Sequence, residues 1–492
     1  MSRWNLSWLL GITAAALIGI SITYSAPRTQ NKKHQNLKLL VDVLDEVEKR
    51  YVKELDQDKM RDLIEHMVNG GLEKLDPHSA FIGADEYKSF RQASRGKFGG
   101  VGIRLGIDVK TGAFLVESPM PGTPAYDAGV NPGDLILKVD GKALDNWSLK
   151  QVVEAIQGEP GTDVTLTVRH EGAKAPVDLK MTRAEIKIES VMGDQRDKVD
   201  LKKWNFWIDE DTRIAYVRVN AFTETTTDEL TRVVDALQKN GLKGLIVDLR
   251  NNPGGLLRCS VEVSSMFIPD GKEVVSTKGR GDKIEEVYTA RMKKAMKPDV
   301  YYPIAIMINR YSASASEIVA AALQDHARAV IIGERSFGKG SVQNLIEMED
   351  GSTALKLTTA SYWRPSGRNI HRFPDSKEKD DWGVKPDKGY EVELTDEERI
   401  EYYKWRRERD IIRRDAKPPE KVEDKDKKEF RDRVLDKAVE YIRAEIAKGE
   451  KRGAAPAPVA NPVAHSGPTL PASIRPDAVA EVDDRSYRNT RR

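Results

Sequence analysis

The sequence predicts an α/β core with largely parallel strands, preceded by a small helical domain and a β-rich domain and followed by charged helices. Three observations carry this. Between Trp204 and Leu394, apolar strand-like runs ("LKGLIVDLR", "PIAIMIN", "AVIIGE") alternate with helical runs ("TTDELTRVVDALQKNG", "SASEIVAAALQ"), the pattern of stacked β–α units. Between Gly96 and Thr182, short strands such as "AFLVESPM" and "DVTLTVRH" are punctuated by glycine and separated by one helical run, "SLKQVVEAIQG". From Lys38 to Phe90, apolar residues recur at helical spacing: Leu39, Val43 and Val47, then Met60, Ile64 and Met67.

In order, residues 1–35 read as a signal or membrane anchor, 36–95 as the helical domain, 96–186 as the β-rich domain and 187–394 as the α/β core. Residues 395–450 read as a charged helical extension and 451–492, Ala/Pro-rich and then polar, as a disordered tail. The N-terminal stretch Leu6–Ser25 holds about 20 uncharged, mostly apolar residues after Arg3, enough to cross a bilayer as one helix. Its cleavage signal is poor: Ser25 with Thr23 two before it fits, but Tyr24 spoils the alternative that ends at Ala26, so an uncleaved anchor is favoured over a removed signal. Either reading expects an exported chain in a bacterial periplasm, and the uncleaved one holds it at the membrane through this segment.

The chain has 80 basic and 78 acidic residues among 492, a balance that gives no reason to expect nucleic acid as a partner. Cys259 is the only cysteine, which excludes an intramolecular disulfide and a cysteine-based zinc site. No cofactor or metal is expected.

Two motifs in the core carry chemistry. "RYSASASEIV" places Ser312, Ser314 and Ser316 at the junction of an apolar strand and a helix, and Ser314-Ala-Ser-Glu317 is a capping box. Taken alone, Ser314 is a helix cap. The same place suits a nucleophile: it lies at a strand's C-terminal end, and the amides that begin the helix, Ala315 among them, face developing negative charge. A serine needs a base. His326 lies twelve residues down the same helix, about 18 Å away at about 1.5 Å per residue, and fails. Lys339 in "SFGKGSVQ" is better placed, because the strand "AVIIGE" returns beside the serine strand and brings the loop back over the helix start. A lysine serves as base only when uncharged, so burial must lower its pKa. Taken alone, Gly-Lys-Gly is a turn with a solvent-facing lysine. Asp325, beside His326, reads as structural.

The β-rich segment resembles a bacterial PDZ domain over its whole length, on "FGGVGIRLG" and "AGVNPGDLILKVDG". Gly99-Gly100-Val101-Gly102-Ile103 matches its carboxylate-binding loop. Glycines there let backbone amides converge on an anion, and the following strand is an edge that an extended peptide can join. The core resembles the carboxyl-terminal processing (tail-specific) proteases from Val41 to Val392, on "VDLRNNPGG", "SASASEI", "GERSFGKGSVQ" and "PSGR". The resemblance implies an α/β protease core with an inserted PDZ domain. It further implies a Ser–Lys dyad of Ser314 and Lys339, with Gln343 in support, and Ser312 and Ser316 as neighbours. An oxyanion hole would pair the Ala315 amide with that of Gly254 or Gly255, between which the sequence does not choose. In a regular strand Lys339 and Gln343 lie about 13 Å apart, so Gln343 reaches the lysine only if the strand bends. Substrates would be proteins whose C-terminal peptide binds the PDZ domain through Gly100, Val101, Gly102 and Ile103. The alternatives are an inactive PDZ scaffold, against which Ser314, Lys339 and NNPGG count, and a crotonase-type acyl-CoA enzyme, against which the PDZ domain and the lysine count. The charged stretch His371–Asp381 departs from the family pattern and reads as an inserted loop.

Overall fold

The structure is a computed structural model that describes residues 28–108, 111–197, 199–291, 302–411 and 430–452. Leu6–Ser25 and the segment after 452 lie outside the described residues, among which no helix is long and apolar enough to cross a membrane. The core sheet runs in the order Val191–Met192, Ile214–Val219, Gly244–Asp248, Ile304–Ile308, Val330–Gly333, with Trp207–Asp209 added beside Ile214–Val219. The last four strands of that order are parallel. Every residue of Ile214–Val219, Gly244–Asp248 and Ile304–Ile308 is buried, which is why these runs are continuously apolar and not alternating.

Both faces of the sheet are covered. Helices Thr226–Lys239, Leu257–Ser265 and Ala315–Asp325 cover one through Leu230, Val234, Val263, Ile318 and Val319. On the other, Tyr216, Ile246, Ala305, Met307 and Ile332 meet Val434, Ala438 and Ile442 of helix Arg433–Arg452. The sequence reads this extension as charged helices, the second with a weak apolar stripe of Leu435, Ala438, Tyr441 and Ile442, and does not say what that stripe covers. Val434, Ala438 and Ile442 recur every four residues, a narrow stripe that mixed charge on the remaining positions hides. The approach is close: a Cβ on Gly244 would lie 2.2 Å from Ile442 Cγ2.

Buried charge fastens the same region. The Arg250 guanidinium donates to Asp248 at 2.7 Å and to Asp432, just before the last helix, at 2.8 Å, and lies 4.5 Å from the centre of the Tyr402 ring. Tyr216 also donates to Asp248, at 2.7 Å. Removing one partner of such a group leaves uncompensated charge in the interior, so Arg250→Ala is expected to destabilise the core by about 3–5 kcal/mol. A loss of unfolding free energy below about 1 kcal/mol in a urea titration would contradict the assignment.

A second sheet carries the hairpin Ser341–Met348/Thr353–Trp363, turned at Glu349–Gly351 as Asp350-Gly351 predicts, with Glu273–Lys278 and Ile284–Thr289 beyond it. Ala80–Ile82 joins its edge against Ala354–Lys356. The N-terminal segment is therefore not helical throughout: "AFI" is too short to show a period, and only its tertiary partner makes it a strand. Asp76 Oδ1 accepts the amides of His78 and Ser79 at 2.8 and 2.9 Å, forming the turn that Asp76-Pro77 predicts.

The β-rich domain is an antiparallel sheet of Ile103–Ile107, Phe114–Pro119, Leu135–Val139, Asp163–Arg169 and Val177–Thr182, with helix Leu149–Ile156 capped by Ser148. Lys97–Gly100 pairs with Ala184–Lys187, so the chain enters and leaves the domain at one place, as an insertion requires. Val116, Val130, Val152, Leu166 and Val168 form its own core.

Candidate active site

Strand Ile304–Ile308 ends at the loop Asn309–Ala313, and helix Ala315–Asp325 starts directly after Ser314. The three serines then separate. Ser312 Oγ donates to the Leu249 carbonyl at 2.8 Å, Ser316 Oγ donates to the Asn252 carbonyl at 3.0 Å, and both residues are fully buried. Ser314 is partly exposed. Ser314 and Glu317 face each other as a capping box, yet the Glu317 amide donates to the Ser314 carbonyl at 2.8 Å and the hydroxyl makes no cap bond. Ser314 also sits at φ 54°, ψ −116°, a region that non-glycine residues avoid. Such strain persists only where the surroundings over-determine it, and it clusters at functional turns. A sharp strand-to-helix turn of this kind is how α/β sheets expose a nucleophile.

The "NNPGG" loop supports that turn. Asn252, fully buried, donates to the Val219 carbonyl at 2.8 Å, while its own carbonyl accepts the Ala313 amide at 3.0 Å. Gly254, at φ 102°, packs against the nucleophile: a Cβ there would lie 2.8 Å from Ser314 Cβ and 2.9 Å from the Ala315 nitrogen. Its amide is already committed to Asn252 Oδ1 at 2.8 Å. No acceptor among the described residues takes the amide of Gly255 or of Ala315.

The loop after Val330–Gly333 runs along the serine loop: the Phe337 amide donates to the Ser312 carbonyl at 3.0 Å. The amides of Ser314 and Lys339 both donate to Glu317 Oε2 at 2.8 Å, so their nitrogens are no more than twice 2.8 Å, about 5.6 Å, apart. Lys339 is half-buried, and its pKa is lowered by burial first and by the charge of Lys356 second, while Glu317 opposes the fall. Burial, helped by the charge of Lys339, also lowers the pKa of His78, which reaches this place from the N-terminal turn.

Gln343 is brought near but tied elsewhere. A bulge between Val342 and Gln343 bends the strand, and the Gln343 amide donates to Ser341 Oγ at 2.9 Å and to Thr358 Oγ1 at 3.1 Å. Thr358 in turn donates to Asp76 at 3.0 Å. His326 caps the far end of the helix with Nε2 2.6 Å from the Glu273 carbonyl, and Asp325 pairs with Arg364 at 2.6 Å, so both are structural. The stretch 371–381 has no regular structure and packs on the lysine loop: the Arg372 amide donates to the Gly338 carbonyl at 2.8 Å. Trp382 beside it is sandwiched by Arg335 and Arg372 at 3.4 and 4.3 Å.

In the PDZ domain, Gly99 and Gly100 belong to the ladder with Glu185 and Ala184, so they are not part of an open loop. Val101 and Gly102 remain. Their carbonyls accept the amides of Ala125 (2.9 Å) and Met120 (2.8 Å), and no acceptor among the described residues takes their own amides. Strand Ile103–Ile107 is the free edge of its sheet.

Sequence reasoning missed Asn252 and the reach of Glu317. Both stood in quoted motifs, but only the fold shows what they touch.

An α/β core that presents a serine on a strained strand-to-helix turn, beside a half-buried lysine and behind a PDZ domain, is the architecture of a PDZ-bearing peptidase. The profile of peptidase family S41 matches residues 213–388, and that of the PDZ domain residues 115–170. The chain is 36% identical over 425 residues to the carboxy-terminal-processing protease of Bartonella bacilliformis, covering 83% of this chain and 90% of that one. It is 33% identical over 359 residues to carboxy-terminal processing protease CtpA of Bacillus subtilis, covering 73% of this chain and 69% of that one. Among solved structures, the photosystem II D1 C-terminal processing protease matches with 29% identity and a TM-score of 0.39, over 71% of this chain and 86% of that one. The chain belongs to peptidase family S41, the carboxy-terminal-processing proteases.

Proposed function

We propose that this protein is a serine endopeptidase in which Ser314 is the nucleophile and Lys339 the general base, fed by a PDZ domain that binds the C-terminus of its protein substrates. The observation that carries the reading is the separation of the three serines: two hydroxyls are buried and bonded, and the third belongs to a partly exposed residue whose amide shares Glu317 Oε2 with that of Lys339. In the first step the neutral Lys339 amine takes the Ser314 proton as Oγ adds to the scissile carbonyl. The oxyanion that forms is held by the amides of Ala315 and Gly255, the two left without acceptors. The lysine ammonium then protonates the departing amine. In the acyl-enzyme the same lysine takes a proton from water as the water oxygen adds to the acyl carbon, and returns it to Ser314 Oγ as the C–Oγ bond breaks and the acid leaves. A serine-reactive phosphonate tests this directly: mass spectrometry should find one adduct, on Ser314. No adduct supports the scaffold reading, and an adduct on another serine moves the nucleophile.

Delivery has its own test. Amides of Val101 and Gly102 without acceptors, next to a free strand edge, fit a terminal carboxylate and a paired peptide. Charge-assisted bonds are worth about 1.5–3 kcal/mol each, so a peptide with a free C-terminus should bind about tenfold or more tightly than its amide. Equal affinity of acid and amide, by fluorescence anisotropy, rules out carboxylate recognition.

A further inference from the structure

We infer that Glu317 is a positioning residue of the peptidase, whose carboxylate holds the nucleophile turn and the lysine loop in reacting register. This rests on Ser314 and Lys339 being the reacting pair. An N-cap needs one bond from this side chain, and Glu317 makes four. Oε2 accepts the amides of Ser314 and Lys339, both at 2.8 Å. Oε1 accepts the Ser336 hydroxyl at 2.5 Å and the Gly338 amide at 2.6 Å. Ser336 passes the connection on, because its oxygen accepts the Val384 amide at 2.7 Å. One side chain thus joins the serine helix, the lysine loop and the segment that follows residues 371–381.

The same chain supplies an ordinary capping box for comparison. Thr395 and Glu398 cap helix Asp396–Asp410 at the surface, and the second partner of Glu398 is a half-exposed Arg433. Glu317 is fully buried. A carboxylate is costly there unless its lone pairs are filled, and these are. Burial still pushes the Glu317 pKa up to about 7, against the hydrogen bonds that favour the charged form.

The placement acts on Lys339 in two ways. Geometrically, the Lys339 amide is bonded to the same oxygen as the Ser314 amide, so loss of that oxygen frees the loop from the nucleophile. Electrostatically, the carboxylate favours the ammonium form of Lys339, in opposition to burial and Lys356. The charged groups around the lysine are Glu317 from the serine helix, Lys356 from strand Thr353–Trp363 and His78 from the turn before Ala80–Ile82, which also faces Asp76 and His371.

Two variants of the full chain separate geometry from charge. Glu317→Gln keeps the length but removes the charge and turns one acceptor into a donor facing donors. We expect kcat to fall about 100-fold with KM unchanged, and the ascending limb of the pH–rate profile to move to lower pH. Glu317→Asp keeps the charge but is one methylene too short to reach every donor. We expect a similar fall in kcat with the limb where it was. Thermal unfolding is followed alongside. Wild-type kcat in either variant, or a loss that tracks the unfolded fraction with the limb unmoved in Glu317→Gln, overturns the inference. Activity remaining in Ser314→Ala or Lys339→Arg would instead remove the dyad on which it rests, so the two failures are distinct.

Discussion

Ser314→Ala is expected to lose peptide-bond cleavage by more than about 10⁴-fold while the chain stays folded. The alanine variant removes the only one of the three hydroxyls that the fold leaves unbonded, so no neighbour stands ready to replace it. The structural cost is small. The Ser314 hydroxyl makes no cap bond, so the usual loss of about 1 kcal/mol for an N-cap serine is an upper bound here. The neighbours behave in the opposite sense. Ser312→Ala and Ser316→Ala each lose a buried hydrogen bond, worth about 1 kcal/mol, and keep measurable turnover. Peptide cleavage and unfolding measured on all three variants decide the matter: an active Ser314→Ala beside a dead Ser316→Ala would move the nucleophile two residues on, to Ser316.

Lys339→Arg is expected to be as inactive as Ser314→Ala, although it keeps the positive charge. A guanidinium cannot lose its proton near neutrality and therefore cannot accept one from serine. The wild-type pH dependence follows from the same group. Below its pKa Lys339 is protonated and idle; above it the amine is free, so kcat/KM rises with pH as the proton leaves. Burial lowers that pKa, which sets the rise below the range of an ordinary lysine. A rate flat from pH 5 to about 10 contradicts a lysine base.

Much of this site is written locally. The serine turn, the glycines of "NNPGG" and the lysine between two glycines are contiguous motifs whose residue types have local reasons. The last helix is the contrary case. Val434, Ala438 and Ile442 sit among charges that read as solvated, and only the naked second face of the sheet explains them. The choice between the two glycines is another: both Gly254 and Gly255 have positive φ, and what distinguishes them is that Asn252 takes one amide and leaves the other. Ala80–Ile82 is a strand because of residues about 270 positions later, beyond the reach of any periodicity.

The sequence by itself determined the order of the domains, the parallel core and the serine and lysine motifs, because hydrophobic period, glycine and caps act within a few residues. Tertiary structure alone decided which serine is left unbonded, which glycine amide is left without an acceptor, and that one buried glutamate joins the serine to the lysine. The serine and glutamate outcomes depend on hydrogen bonds between segments 20 to 65 residues apart, such as Ser316 to Asn252 and Lys339 to Glu317; the glycine outcome rests on Asn252, which takes the Gly254 amide two residues on while its own side chain is held to the Val219 carbonyl.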